Sequence, residues 1–176
     1  MFEIEKNTSN NERPQKIQII TASQIHLPEL VDLFEEYRQF YRMPPNKAAA
    51  FRFLTLRLQY QDTRLYLAQH PKHPTPFSIV GFVHLFPSFS SLAMRRLWIL
   101  NDLYVYESYR GCGVGQLLIQ KAILLAKETQ AQGIFLQTEI QNTRAQKFYV
   151  KNGFIKDEVN SYYHWYNPEL EKNTPS

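Results

Sequence analysis

The chain has 176 residues, a length that suits one domain around one hydrophobic core rather than two. Hydrophobic residues make up 44% and aromatics 14%, enough apolar surface to offset chain ordering, and the single cysteine, Cys112, excludes an internal disulfide framework. The net charge of +4 is spread along the chain, which disfavours nucleic acid as a partner, and no apolar run reaches the roughly 20 residues that span a bilayer, which disfavours the membrane.

The opening "MFEIEKNTSNNERPQK" lacks the apolar core of a secretory signal, so a reducing cytoplasm is the expected location. Residues 1–15 and 169–176 are polar and proline-containing, and both ends are expected to be flexible around a single domain at 16–168. Inside it, "KIQIIT" predicts an opening strand. Leu27, Leu30, Val31, Phe34, Tyr37 and Tyr41 then recur at helical spacing until Pro44 and Pro45 end the pattern. Asn46 is placed to cap a second helix through "KAAAFRFLTLRLQY".

"TRLYLAQ" and "SIVGFVHLF" predict a hairpin around the proline-rich "HPKHPTP", and "SLAMRRLWILNDLYVY" a third, long strand. A helix is expected from Gly115 to a stop at Gly133, then a strand over "IFLQTEI". A short helix follows through "NTRAQKFYVKNG", capped by Asn142, and "SYYHWYN" predicts a last aromatic strand. The order implies an α/β protein with a central mixed sheet.

Gly111, Gly113 and Gly115 stand between a strand and a helix start, where free backbone N–H groups and the helix dipole favour an anion. The same glycines equally suit a plain turn needing positive φ. Two phosphate loops are excluded by spacing: no lysine follows Gly115 as a P-loop requires, and "GCGVGQ" brings its third glycine one residue too early for a dinucleotide fingerprint.

Arg110, Gly113 and Gly115 meet the pattern [QR]-x-x-G-x-[GA], and Asn142, Ala145, Tyr149, Gly153 and Phe154 meet N-x-x-A-x-x-x-Y-x-x-x-GF. In this order and separation the two segments resemble the GNAT family of N-acetyltransferases, and "LFEEYRQFY" with "LNDLYVYESYRGCGVG" look most like its polyamine and Hpa-type histone acetyltransferase branch. The resemblance implies the GNAT fold, a central, mixed and largely antiparallel twisted sheet flanked by about four helices. It also implies acetyl-CoA as co-substrate, an amine acceptor on a small molecule or peptide, and a homodimer.

By that resemblance, backbone N–H groups of Arg110, Gly111, Cys112, Gly113, Val114, Gly115 and Gln116 hold the pyrophosphate, while Leu103, Tyr104 and Val105 pair with the pantetheine arm. Backbone N–H near Tyr104 steadies the oxyanion. Tyr149 is the proton donor to the departing thiolate, a phenol that stays protonated at neutral pH. Asn142 caps its helix and touches the cofactor arm.

The general base departs from the family. Asn101 and Gln137 occupy positions where two branches place a glutamate, which leaves Asp102, Glu139 or a water as the base. Glu139 is expected on the strand face it would share with Gln137. Cys112 is rejected as an acetyl carrier because its loop would already hold phosphate. No metal site is expected: His70, His73 and His84, around the proline-rich loop, read as loop or surface residues. The acceptor is expected near "EEYRQFYRMPP" and "SYYHWYN", where Glu35, Glu36 and aromatic faces suit a cation, although the carboxylates equally fit the wet side of a helix. The alternatives are a non-catalytic acyl-CoA-binding module and, last, a nucleic-acid binder.

Overall fold

Five strands in the order β1-β2-β3-β4-β5 form one open sheet: β1 (Gln18–Thr21), β2 (Arg64–Gln69), β3 (Ile79–Ser90), β4 (Arg95–Val105) and β5 (Ile134–Leu136). The first four pair antiparallel, and β5 runs parallel to β4, giving the mixed, largely antiparallel sheet expected. Among the described residues four α-helices accompany it: α1 (Leu27–Phe40), α2 (Lys47–Tyr60), α3 (Val114–Glu128) and α4 (Thr143–Lys151). This computed structural model describes residues 17–71 and 75–167. Residues 1–15 and 169–176, expected to be flexible, and His73 lie outside the described residues. The chain divides into two compact units, Met1–Gln137 and Thr138–Ser176.

In the first unit, strand alternation sorts side chains onto two faces. Leu65, Leu67 and Phe82 join Leu30, Leu33, Phe34 and Leu54 in a core beneath α1 and α2. The interleaved Tyr66 faces the other way, its ring 5.1 Å from Lys121 Nζ of α3. The α1–α2 elbow is held by polar contacts that the sequence places on neighbouring turns. Asn46 Oδ1 accepts from Ala49 N at 3.0 Å, as a cap should, while its own N–H donates to Glu35. Arg38 holds the other oxygen of Glu35, a carboxylate only 1% exposed. Glu35 is therefore a staple between the helices and not an acceptor-facing charge.

Several boundaries differ from expectation. β3 continues past Phe86 through Pro87 to Ser90; this is allowed because β2 has already ended opposite Leu85, so the missing N–H of Pro87 interrupts no second ladder. α3 stops at Glu128, well before Gly133, where the hydroxyl of Thr129 turns back onto the carbonyl of Leu125 at 2.7 Å and Gln130 adopts φ 49°. His84 lies fully buried in mid-strand, not in a loop or on the surface. In the second unit, α4 forms as expected, with Asn142 Oδ1 accepting from Ala145 N at 3.1 Å and Gly153 at φ 85° ending it. Residues 161–167 form no strand, because β-prone residues become a strand only where a ladder partner exists, and none is paired with them among the described residues. Instead Asp157 gathers the N–H groups of Val159 and Asn160 and the hydroxyl of Tyr162 into a polar turn.

One glycine on β3 is dictated by packing. A Cβ on Gly81 would stand 2.9 Å from the carbonyl oxygen of Tyr104 and 3.3 Å from Leu118 Cδ1, so strand β4 and helix α3 both close on bare backbone. Gly81→Ala should cost about 1–3 kcal/mol in denaturant unfolding through overpacking. Gly133→Ala, where nothing lies within 4 Å, should be close to neutral; equal effects would contradict this account.

Candidate functional site

An extra residue in β4 organises this region. β3 and β4 pair His84 with Asp102 but Leu85 with Leu100, so Asn101 is a bulge with no opposite number. The bulge resets the alternation. Leu100, before it, shares the side of Leu85, whereas Asp102 and Tyr104, after it, share the side of His84 and Phe82, beneath α1 and α2. Asn101 is exposed and its amide donates to Asp102 Oδ1 at 3.1 Å.

The outer edge of β4 also changes at this point. β5 pairs with Trp98, Ile99 and Leu100 and goes no further, so among the described residues Asn101 to Val105 have no strand on that side. Leu103, Tyr104 and Val105, expected to meet an extended ligand arm, thus carry an open edge to which such an arm can add.

Beyond this edge, the chain makes a short 3-10 turn at Glu107–Tyr109 and enters the glycine loop. Gly111 and Gly113 sit at φ 83° and 85°, and a Cβ on either would meet no heavy atom within 4 Å. The positive φ supports the turn reading, and the empty space leaves room for close approach of a ligand, so the two uses are compatible. Gly113 is the N-cap of α3 with no side-chain cap, and the first helical bond runs from Leu117 N to Gly113 O at 3.1 Å. The N–H groups of Val114, Gly115 and Gln116 therefore have no intrahelical acceptor, the donor set that an anion uses. Arg110 N is different, since it donates to Glu107 O at 3.1 Å.

The Arg110 side chain folds back toward β4. Its Nε donates to Val105 O at 2.9 Å, and its guanidinium lies 5.3 Å from the Tyr104 ring and 5.4 Å from that of Phe40. Cys112 is exposed, its Sγ 3.9 Å from the Arg110 carbonyl. On α1, Glu36 faces this aromatic group. Burial holds its carboxyl above the ordinary value of 4.5, with the Tyr104 hydrogen bond pulling it down, Asp32 pushing it up and Arg110 pulling it down. Burial, reinforced by the carboxylates of Glu36 and Asp32, pushes the Tyr106 phenol up to about 12, so it stays a neutral hydroxyl. Tyr37 stacks edge-on to Tyr41 and Tyr104, completing an aromatic and acidic surface.

The second unit carries the other expected residues. Tyr149 is half-buried on α4, its ring 5.6 Å from Phe148 and 5.7 Å from Phe154. Asn142 holds the cap of that helix. Glu139 does not sit on a strand with Gln137, because β5 stops at Leu136; Glu139 is exposed, and its backbone carbonyl accepts from Asn142 N at 2.9 Å. Among the described residues no three His, Cys, Asp or Glu side chains gather as a metal site would require, and no helix is long and apolar enough to cross a membrane. Sequence reasoning missed the burial of His84 and the bulge at Asn101. The only signal was the run Leu100-Asn101-Asp102, two polar residues interrupting the apolar stretch from Leu97 to Val105.

Comparison with known proteins bears on the same segments. The family model described as the Acetyltransferase (GNAT) family matches residues 28–154. The uncharacterised N-acetyltransferase YhfO of Bacillus subtilis (strain 168) is 35% identical over 128 residues, 73% of this chain and 83% of that protein. The D-amino-acid N-acetyltransferase HPA3 of Saccharomyces cerevisiae is 34% identical over 80 residues, 46% of this chain and 50% of that protein. A crystal structure of a probable acetyltransferase superposes with a TM-score of 0.79 at 38% identity, covering 85% of this chain and 98% of that one.

A valine at position 113 would force a β-branched residue to φ 85° and fill the open space of the loop. Gly113→Val should weaken acetyl-CoA binding about tenfold or more in calorimetry, while the strain itself lowers stability by only about 1–2 kcal/mol. Unchanged affinity in a folded variant would remove the loop from the binding site.

Proposed function

The chain belongs to the GNAT acetyltransferase family, and on that premise we propose that it moves the acetyl group of acetyl-CoA directly to a primary amine of a cationic acceptor, either a polyamine-like or aminoglycoside-like small molecule or a protein lysine. The observation that carries the reading is the continuity of two binding features in one segment. The open edge of β4 at Leu103 to Val105 leads through the turn into the unpaired N–H groups at the start of α3. An extended, amide-bearing arm that ends in a pyrophosphate uses both.

In this reading the N–H groups of Gly111 to Gln116 hold the pyrophosphate and the β4 edge orients the thioester. The backbone N–H near Tyr104 receives the oxyanion charge as the amine attacks; a fixed dipole suits this because it needs no reorganisation during the reaction. The amine nitrogen forms its bond to the acetyl carbon and loses a proton to Asp102, Glu139 or a water, the C–S bond breaks, and Tyr149 gives its phenolic proton to the sulfur and regains one from solvent. Tyr149 and Asn142 take these roles from the motif they complete.

The acceptor reading rests on Glu36 with Phe40, Tyr37, Tyr104 and Tyr106, which together offer a carboxylate and aromatic faces to an ammonium group. Glu36 protonates at a higher pH than an ordinary glutamate, so its attraction for a cation is present above its raised pKa and fades as pH falls through it. The KM for a cationic amine should therefore rise as the solution is acidified. Glu36→Gln should raise KM roughly two- to five-fold at neutral pH, the range for an exposed ion pair, and flatten that dependence. A Gln variant with the wild-type profile would move the acceptor elsewhere.

Release of CoA thiol from acetyl-CoA, followed across polyamines, aminoglycosides, small alkyl and aryl amines and lysine peptides, tests the activity directly. Acceptor-dependent release is expected. Tyr149→Phe should cut turnover about 100-fold with acetyl-CoA affinity kept. Acetyl-CoA binding without release under every amine would favour a binding module instead.

A further inference from the structure

Beneath the β4 bulge lies a chain of buried polar groups for which the reaction described above has no use. His84, fully buried on β3, has its Nε2 2.9 Å from Thr63 Oγ1 and its Nδ1 3.3 Å from Asp102 Oδ2. The Nδ1 contact is within ion-pair distance but out of line for a full hydrogen bond, so this nitrogen is a buried polar atom whose one facing group is the carboxylate. Asp102 is 5% exposed, and its other oxygen accepts from the exposed Asn101. The walls are otherwise apolar: the Phe53 ring of α2 stands 6.2 Å away and the Phe86 ring 4.4 Å. A further charged pair, Arg57–Asp62, 3.1 Å between Nε and Oδ1, stands beside Phe53, with the Arg57 guanidinium 5.5 Å from its ring.

The chemistry of the three groups fixes the tautomer. A lone pair on Nδ1 facing a carboxylate in an apolar pocket would leave both groups unsatisfied, so the proton belongs on Nδ1 and Nε2 accepts from the Thr63 hydroxyl. We propose that His84 is a positioning residue: backed by Thr63, it holds the carboxylate of Asp102 aimed at the bulge, where Asp102 takes the proton that the amine nitrogen loses as its bond to the acetyl carbon forms. The proton then passes from Asp102 to solvent, the sulfur leaves with the proton of Tyr149, and Tyr149 regains a proton from solvent, so each cycle returns every group to its starting state. This inference rests on the acetyl-transfer reading, and it selects Asp102 over Glu139 as the base. The bulge is what brings the two groups together, since regular alternation would have turned Asp102 to the other face of the sheet, away from His84.

Three variants and one spectrum test it. His84→Leu removes the donor and should lower kcat about 100-fold with the KM for acetyl-CoA unchanged. His84→Asn places an amide N–H near the Nδ1 position and should recover most of the loss. Asp102→Asn should match His84→Leu in turnover. In 15N-histidine-labelled wild-type protein, the His84 signals should report the Nδ1–H tautomer and change in Asp102→Asn, a readout that needs no substrate. A folded His84→Leu enzyme with the wild-type kcat, or an Nε2–H tautomer, overturns the proposal. Silence of the wild type toward every amine would count against acetyl transfer itself, with the spectrum still deciding whether His84 holds Asp102.

Discussion

One inserted residue governs the functional half of the sheet. Because Asn101 has no partner on β3, every side chain of β4 after it is turned over relative to the strand before it. This brings Asp102 opposite His84 and Tyr104 beneath α1, where its ring reaches Tyr37, Phe82 and Arg110. β5 also ends its pairing at Leu100, just before the bulge. A continuous ladder would have buried the β4 edge and placed Asp102 on the α3 face; the interrupted one leaves an edge open and a carboxylate inside.

The glycine loop and the bulge divide the labour between backbone and side chain. Along the loop the useful groups are N–H donors, so the side chains are absent, small or turned aside. Arg110 illustrates the last case: its guanidinium lies on Phe40 and Tyr104 and its Nε holds the Val105 carbonyl, fastening the exit of β4 to the loop. Fixed donors of this kind keep their geometry whether or not charge is present, which is the condition for electrostatic stabilisation at low reorganisation cost. Under the bulge the useful groups are side chains, and they are correspondingly buried and enclosed by aromatic rings. Glu35 and Glu36 show the same division on one helix. Glu35 is consumed by Arg38 and Asn46 as a structural staple, and its neighbour stays open with its carboxyl held above the ordinary value.

Much of this was legible in the sequence for local reasons. The periodicity from Leu27 to Tyr37, the Asn46 and Asn142 caps and the glycines at 111 and 113 each act through neighbours a few residues away, so spacing alone places them. The two motifs reach further, because each is a local arrangement of backbone and side chain whose chemistry survives changes around it. Errors fell where a residue's state depends on a distant partner. "SYYHWYN" has every property of a strand except something to pair with, and "IFLQTEI" loses its second half once β4 diverges.

His84 marks the boundary most clearly. Beside a proline-rich loop, a histidine near Thr63 in no sequence pattern reads as a surface residue; in the fold, Thr63 and Asp102 arrive from 21 residues before it and from the opposing strand. The sequence by itself determined most of the elements, the glycine turn before α3 and the family, since these are written in short-range periodicity, capping and glycine placement. Tertiary structure alone decided which carboxylate is buried, which is a staple and which stays exposed. Burial and pairing are properties of strands brought together over long range, and a single unpaired residue in β4 is enough to reverse them.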